Sequence, residues 1–344
     1  MRYQLCLIGL INLTFSIQAQ TGFSLKDDPY HKKVEVLYDE KLLTAYCYFD
    51  STEKPILFPV KTVSGVTVTR GYPIAPHLGE RTDHPHQVGL WMNYENVNDL
   101  DFWNNSFAVS AEKKSHYGSI RHQKILKSEI RKDNASLIVL SNWVNSEGKV
   151  LLEEITRFVF IKKENDFIVD RIALLEAKED ILFKDVKDGL LGIRVARELE
   201  MPSVQEDKFV DAQGNVTPVP KTDNTNVSGM YFNKERLEGD KVWGERSRWV
   251  CLQGEKDGEK ISIAIIDHPK NVGFPTYWHA RGYGLFAANP LGQKIFSEGK
   301  KELNFSLEKG RSTSFRYRVI IHSSTPLTPA MLNKQASAFA SLAY

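Results

Sequence analysis

His84 and His86 stand on either side of Pro85 in the stretch "RTDHPHQVGLW", residues 81–91, of a chain that has only nine histidines in 344 residues. Residues i and i+2 of an extended segment point to the same face, and a proline keeps the residue before it out of helical geometry. The spacing therefore predicts that both imidazoles address one target. Neutral imidazoles suit proton transfer near pH 7, or a transition metal. Three further clusters mix titratable groups with Gly, Pro or Trp. "FKDVKDGLLGIRVARE" places Asp185, Lys187, Asp188, Arg194 and Arg197 together, a setting in which pKa values are pushed apart. "VWGERSRW" carries Trp243, Arg246 and Trp249, and "DHPKNVGFPTYWHARGYGLFAANPLG" carries Asp267, His268, Trp278, His279, Arg281, Tyr283 and Asn289.

Sugars account for that mixture of residue types. A pyranose offers apolar C–H faces that stack on aromatic rings, and hydroxyls that need fixed, planar donors and acceptors. Carboxylates beside a sugar also do acid–base work, as in glycoside hydrolysis. On this reading His84, His86, Asp185, Asp188 and His279 are the candidate catalytic groups. Arg81, Trp91, Asp101, Trp103, Lys187, Arg194, Trp278, Arg281 and Asn289 are the candidate substrate contacts. The expected cleft is built from residues 80–103, 183–197 and 267–289. Each of these residues also has a structural reading: a tryptophan as core, Asp185 and Asp188 as turn caps or partners of Lys187 and Arg194, the histidines as groups satisfied by carbonyls around Pro85. A metal at His84 and His86 needs further ligands from His268 or His279, and neither has fixed spacing to the pair, so no metal site and no cofactor is assigned. Nucleotide cofactors and serine-hydrolase chemistry lack their signatures: there is no GxSxG, P-loop, GxGxxG after a strand, or HExxH.

The elements that position these residues read as strand after strand. "VEVLYDEKLLTAYCYF" is two apolar runs around an Asp39-Glu40-Lys41 turn, and "SLIVLSNWV", "LLEEITRFVFI" and "DFIVDRIALLEA" are separated by the short polar turns "NSEGKV" and "KKEND". "RWVCLQ", "KISIAIID" and "TSFRYRVII" follow, the last alternating Phe315, Tyr317 and Val319 with Arg316 and Arg318 as a half-buried strand does. One helix is predicted, at the end, with Thr328 as cap and Pro329 at its first position. Residues 70–105 and 201–249 are long irregular excursions of the kind that carry function. The fold class expected is all-β: a large antiparallel β-sandwich, residues 21–344 as one domain, with a short C-terminal helix.

Bulk properties narrow the partners. The chain is 42% hydrophobic and 26% charged with a net charge of +2, and its charges of both signs interleave. That argues against nucleic-acid binding and against a polybasic membrane face. Met1-Arg2, an apolar core from Leu5 to Phe15, and Ile17-Gln18-Ala19 read as a signal peptide over residues 1–20, which predicts a periplasmic or secreted protein without stable membrane insertion. Cys47 and Cys251 remain after its removal, either as one disulfide or as two buried thiols.

"HPHQVGLWMNYENVNDLDFW", "FKDVKDGLLGIRV", "VWGERSRW" and "DHPKNVGFPTYWHARGYGLFAANPLG" together resemble the bacterial family of exported proteins labelled methane oxygenase PmoA, over roughly residues 30–322. That family's first motif runs His-Pro-His-His-Arg-Gly, and here Gln87 and Val88 occupy its third-histidine and arginine positions. The resemblance implies no catalytic residues. It does imply a sandwich of long strands similar to the galactose-mutarotase-like supersandwiches of carbohydrate processing. The expected function is an exported, carbohydrate-active hydrolase or lyase with a carbohydrate or small-molecule substrate. The alternatives are a non-catalytic carbohydrate-binding protein and a metal-dependent oxidative enzyme.

Overall fold

The computed structural model describes residues 21–343 apart from 212, 220 and 221, so the expected signal peptide lies outside the described residues. Two eight-stranded antiparallel sheets dominate. The first runs Phe23–Asp28, Lys33–Tyr38, Lys41–Cys47, Ile56–Val60, Leu90–Tyr94, Gly189–Arg194, Leu285–Asn289, Tyr277–Ala280. The second runs Met230–Asn233, Trp249–Lys256, Glu259–Asp267, Ser312–Ser323, Asp166–Ala177, Val150–Lys163, Asn134–Val144, Ser119–Ile130. The expected antiparallel sandwich is the observed one.

Local chemistry explains the hairpins. Asp39 and Glu40 both take positive φ, 48° and 61°, as the right-handed twist of a two-residue hairpin loop demands. The alternating residues of the long strands then sort to two faces. Phe315, Tyr317, Val319 and Ile321 join Val169, Leu175, Phe158 and Ile263 in the core between the sheets, where Leu90, Met92, Leu191, Ile193, Phe286 and Trp278 meet them from the first sheet.

Each sheet also has an outer face, and the two are covered differently. On the second sheet, Ile168, Trp249, Cys251, Ala264, Ile266 and Ile320 pack under Leu332, Ala336 and Phe339 of the helix Pro329–Ala340. Thr328 caps that helix by accepting from the Met331 N–H, as expected. The cover changes one expectation: Arg318 does not face water but is buried, with both ends of its guanidinium 2.7 Å from the Asp170 carboxylate. On the first sheet the outer face carries Ala45, Cys47, Ile56, Phe58, Trp91, Leu285 and Ala287, and irregular segments rather than a helix lie over it. Cys47 and Cys251 sit on different sheets as free, buried thiols, so no disulfide joins them. Among the described residues, no helix is long and apolar enough to cross a membrane.

Candidate functional site

The segment over the outer face of the first sheet is tied down from within. Buried Arg70 donates from Nη1 to the carbonyls of Arg81 and Asp83 and from Nη2 to those of His84 and Gln87. Glu80 accepts three backbone N–H groups, from Gly71, Tyr72 and His77. Residues 84–87 close as a turn, Gln87 N–H to His84 C=O at 2.9 Å, and His84 has φ of 44°. That positive φ corrects the extended reading of the His-Pro-His stretch. The two rings lie 5.6 Å apart but at 85° to one another, so they do not address one target.

His84 turns toward a charge network. Its Nδ1 stands 2.5 Å from Asp83 Oδ2, and its ring lies parallel on Tyr283 at 5.1 Å. Asp83 Oδ1 in turn accepts from Arg70 at 2.9 Å and Arg194 at 2.6 Å, both fully buried arginines. Burial acts to raise the Asp83 pKa, but Arg194, His84 and Arg70 outweigh it and hold the carboxyl well below its usual range. Arg194 also donates to Gln87 Oε1 at 2.5 Å. It is therefore a buried structural cation rather than a free substrate contact, and Gln87 earns its place as its partner.

His86 turns the other way, into a cavity of about 440 Å³ whose wall includes Lys54, Tyr72, Ser106 and Phe107. Its Nε2 is buried without a hydrogen-bond partner among the described residues. Lys54 Nζ donates to the His86 carbonyl at 2.7 Å and lies 5.4 Å from the centre of the Trp91 ring.

The acids form a second centre. Asp188 Oδ1 lies 3.1 Å from His279 Nδ1, a close contact that sits off the line of a hydrogen bond, and Lys187 Nζ approaches Asp188 Oδ2 at 3.6 Å. Glu95, on the neighbouring chain segment, exchanges two hydrogen bonds with Asp188: Glu95 N–H to Asp188 C=O at 2.9 Å, and Asp188 N–H to the Glu95 carboxylate Oε2 at 3.1 Å. The environments divide these groups. Burial and the Asp188 charge push Glu95 up to about 7. Burial would raise Asp188 too, but His279 and Lys187 reverse the sign and hold it low. Burial lowers His279, leaving a neutral imidazole at neutral pH. Glu95 and Asp101 open onto a hollow of about 460 Å³ shared with His116 and Tyr117.

The two centres occupy opposite ends of the strand Gly189–Arg194, which spans roughly 20 Å at about 3.3 Å per residue. Between them lies an apolar strip: Gly192 pairs with Trp91 on one side and Ala287 on the other, and Trp91 packs on Trp103 at 5.2 Å. The single cleft expected from residues 80–103, 183–197 and 267–289 is thus two polar centres on one face.

Several expected contacts are occupied with holding the fold. Asp185 accepts the N–H groups of Lys294 and Leu303. Asn289 accepts from Leu291 and Gly292 and donates to the carbonyls of Val186 and Lys187. Arg81 pairs with Glu200 and Asp207 and packs on Phe209. Asp101 closes a turn through Asn104, and burial raises its pKa. Trp91, Trp103 and Trp278 are all but fully buried, so none presents a face to a sugar. Arg246 spends its guanidinium on the carbonyls of Pro275 and Gly273. His268 packs edge-on against Phe339 over the second sheet, away from both centres. Arg281 is exposed, near the rings of Trp243 and Tyr283. Among the described residues, no three His, Cys, Asp or Glu side chains are grouped to hold a metal ion. The residues that sequence reasoning passed over are Lys54, Arg70 and Glu95, while Asp83 and Tyr283 were given no role in the site. Asp83, Glu95 and Tyr283 lie inside the quoted motifs; Lys54 had no local signal at all.

The structure is similar to the α-galactosidase AgaB of Geobacillus stearothermophilus (12% identity, TM-score 0.40, covering 88% of this chain and 41% of that one). It is similar also to the galactosidase domain of the α-galactosidase-sucrose kinase AgaSK (10%, 0.40, 88% and 42%). The Slr1438 protein of Synechocystis sp. PCC 6803 matches over 92% of this chain and 100% of its own, at 10% identity and TM-score 0.37. The chain spans about two fifths of the length of the galactosidases it matches. No curated protein matches the sequence. The resemblance to the family labelled methane oxygenase PmoA is corrected by the family comparison, in which no family of that label matches and residues 33–337 fit another model. The chain belongs to DUF6807, a family of unknown function.

Proposed function

We propose that the protein is a carbohydrate-active enzyme, a hydrolase or lyase working outside the cytoplasm, with Glu95, Asp188 and His279 as its acid–base groups. The observation that carries this is the opposed protonation of three groups linked through Asp188, which meets Glu95 on one side and His279 on the other. Glu95 is poised near neutrality, Asp188 stays ionised, and His279 stays neutral. Pairs of titratable groups whose environments push their pKa values apart are the pattern of acid and base roles. The Asp188 carboxylate, 3.1 Å from Nδ1, favours the tautomer with the His279 proton on that nitrogen, which leaves Nε2 to accept a proton from water in hydrolysis, or from the carbon beside a carboxylate in elimination. Glu95 then hands its proton to the departing oxygen. Lys187 and Arg281 are exposed cations whose charge reaches His279, and they favour an acidic sugar. The export rests on the composition of residues 1–20, and cell fractionation checks it.

The test is turnover on a panel of poly- and oligosaccharides by wild type, Glu95→Gln, Asp188→Asn and His279→Ala. Each substitution is expected to lower kcat/KM by about 10²–10⁴-fold. The wild-type rate is expected to fall as pH rises through about 7, where Glu95 loses its proton, and Glu95→Gln should lose that limb. Equal turnover by all four proteins removes the assignment. Saturable glycan binding with no product from the wild type leaves a binding protein instead.

A further inference from the structure

We infer that the cavity floored by Lys54 and His86 is a second ligand site, which takes the carboxylate of a small sugar acid. The site goes beyond the proposed function and uses none of its acid–base groups. Three observations converge on it. Lys54 is 4% exposed, makes one hydrogen bond, to a neutral carbonyl, and forms no ion pair among the described residues. His86 Nε2, buried in the same wall, has no hydrogen-bond partner among those residues. The space in front of them is about 440 Å³, within the range of about 300–1,000 Å³ usual for ligand pockets.

A strut for the His86 carbonyl does not need a charge. An apolar side chain of similar length would fill the same volume without placing an ammonium where it lacks a counter-ion. A bound carboxylate supplies the missing charge to Lys54 and an acceptor for a His86 N–H. One ammonium balances one negative charge, which selects a carboxylate over a doubly charged phosphate. The mouth fits the rest of a sugar acid. Phe107 is 62% exposed and Tyr72 half-buried, giving ring faces for C–H groups, and Ser106 accepts from the Ala108 N–H, keeping its own proton to donate.

Burial pushes Lys54 down to about 7 against the opposing pull of Glu53 and Asp101, while His86 faces it as a neutral ring lowered by burial and by Lys54 itself. Glu53 is engaged by Lys114, Arg121 and Ser119 and forms no ion pair with Lys54. An anion arriving near neutral pH therefore draws a proton onto Lys54.

Calorimetric titration of the full chain with D-glucuronate, with D-glucose as the uncharged match, tests this. Glucuronate is expected to bind saturably, at least tenfold more tightly than glucose, and more tightly at pH 6 than at pH 8.5. At pH 7.5 binding should take up protons, seen as a dependence of the heat on buffer ionisation. Lys54→Met and the cavity-filling Ile74→Trp should each weaken binding at least tenfold. His279→Ala should leave it unchanged, which separates this site from the proposed catalytic one. Should Lys54→Met not fold, Ile74→Trp and wild-type proton uptake decide. Equal affinity for acid and sugar, no saturable binding, or binding indifferent to Ile74→Trp overturns the inference.

Discussion

Asp83 is the residue on which the His84 side of the outer face depends. It pairs with two fully buried arginines, Arg70 and Arg194, and removing one partner of a buried pair strands the other's charge. Asp83→Asn should cost about 3 kcal/mol or more, read by urea denaturation, since two guanidinium groups lose one counter-ion. The pH dependence has a definite sign. The folded carboxyl titrates below its unfolded value, so its stabilisation is complete above about pH 4 and drains away as pH falls further. Wild type should lose stability over that acid range more steeply than Asp83→Asn. His84, beside it, keeps an uncommon positive φ for a non-glycine residue, a conformation held by the four carbonyls that Arg70 gathers.

Strand Gly189–Arg194 is the element that sets the spacing of everything polar on this face. It presents Gly192 outward between Trp91 and Ala287, and a Cβ there would meet Trp91 Cζ2 at 2.8 Å and Trp103 Cη2 at 3.1 Å. The missing side chain is what lets two indoles, tilted at 56° to one another, pack against the strand. Gly192→Val should destabilise by about 1–3 kcal/mol through overpacking and shift the tryptophan fluorescence, as a thermal melt and an emission spectrum would show. An unchanged melting curve would mean that the Trp91–Trp103 pair is not rigidly seated. The hairpin Asp207–Val210 with Val216–Val219 plays a supporting part, receiving the Thr82 N–H on the Lys208 carbonyl and donating Val210 N–H to Glu80.

The whole molecule is asymmetric in how it closes its two outer faces. The second sheet is sealed by a helix, the first by segments carrying buried charge. Phe339 lies fully buried over Ile266, Ile320 and Trp249, so Phe339→Ala should cost about 3–5 kcal/mol. Thr328→Ala should cost about 1 kcal/mol, by loss of the cap alone. Both belong to stability, and neither should alter turnover or glucuronate binding beyond what unfolding accounts for. A large effect of Phe339→Ala on either activity, in protein that remains folded, would show the two faces to be coupled through the core.

Alternation, turn residues and one capped helix are local properties, and they were legible in the sequence: the strands about Asp39-Glu40, the run from residue 134 to 177, and the helix after Thr328 all lie where the pattern placed them. Which charged residue meets which is a long-range matter. Arg194 and Asp83 are 111 positions apart, and Arg81 and Glu200 119, so no spacing rule reaches them. The tryptophans had the right residue type for a sugar platform, but burial depends on what the rest of the chain lays over them. Lys54 had no motif whatever, because a lone lysine gains its chemistry only when folding strips its water and withholds a counter-ion. The chain's pattern determined the sandwich; desolvation and contact across the sheets, which exist only after folding, decided which of its polar groups are struts and which remain unsatisfied.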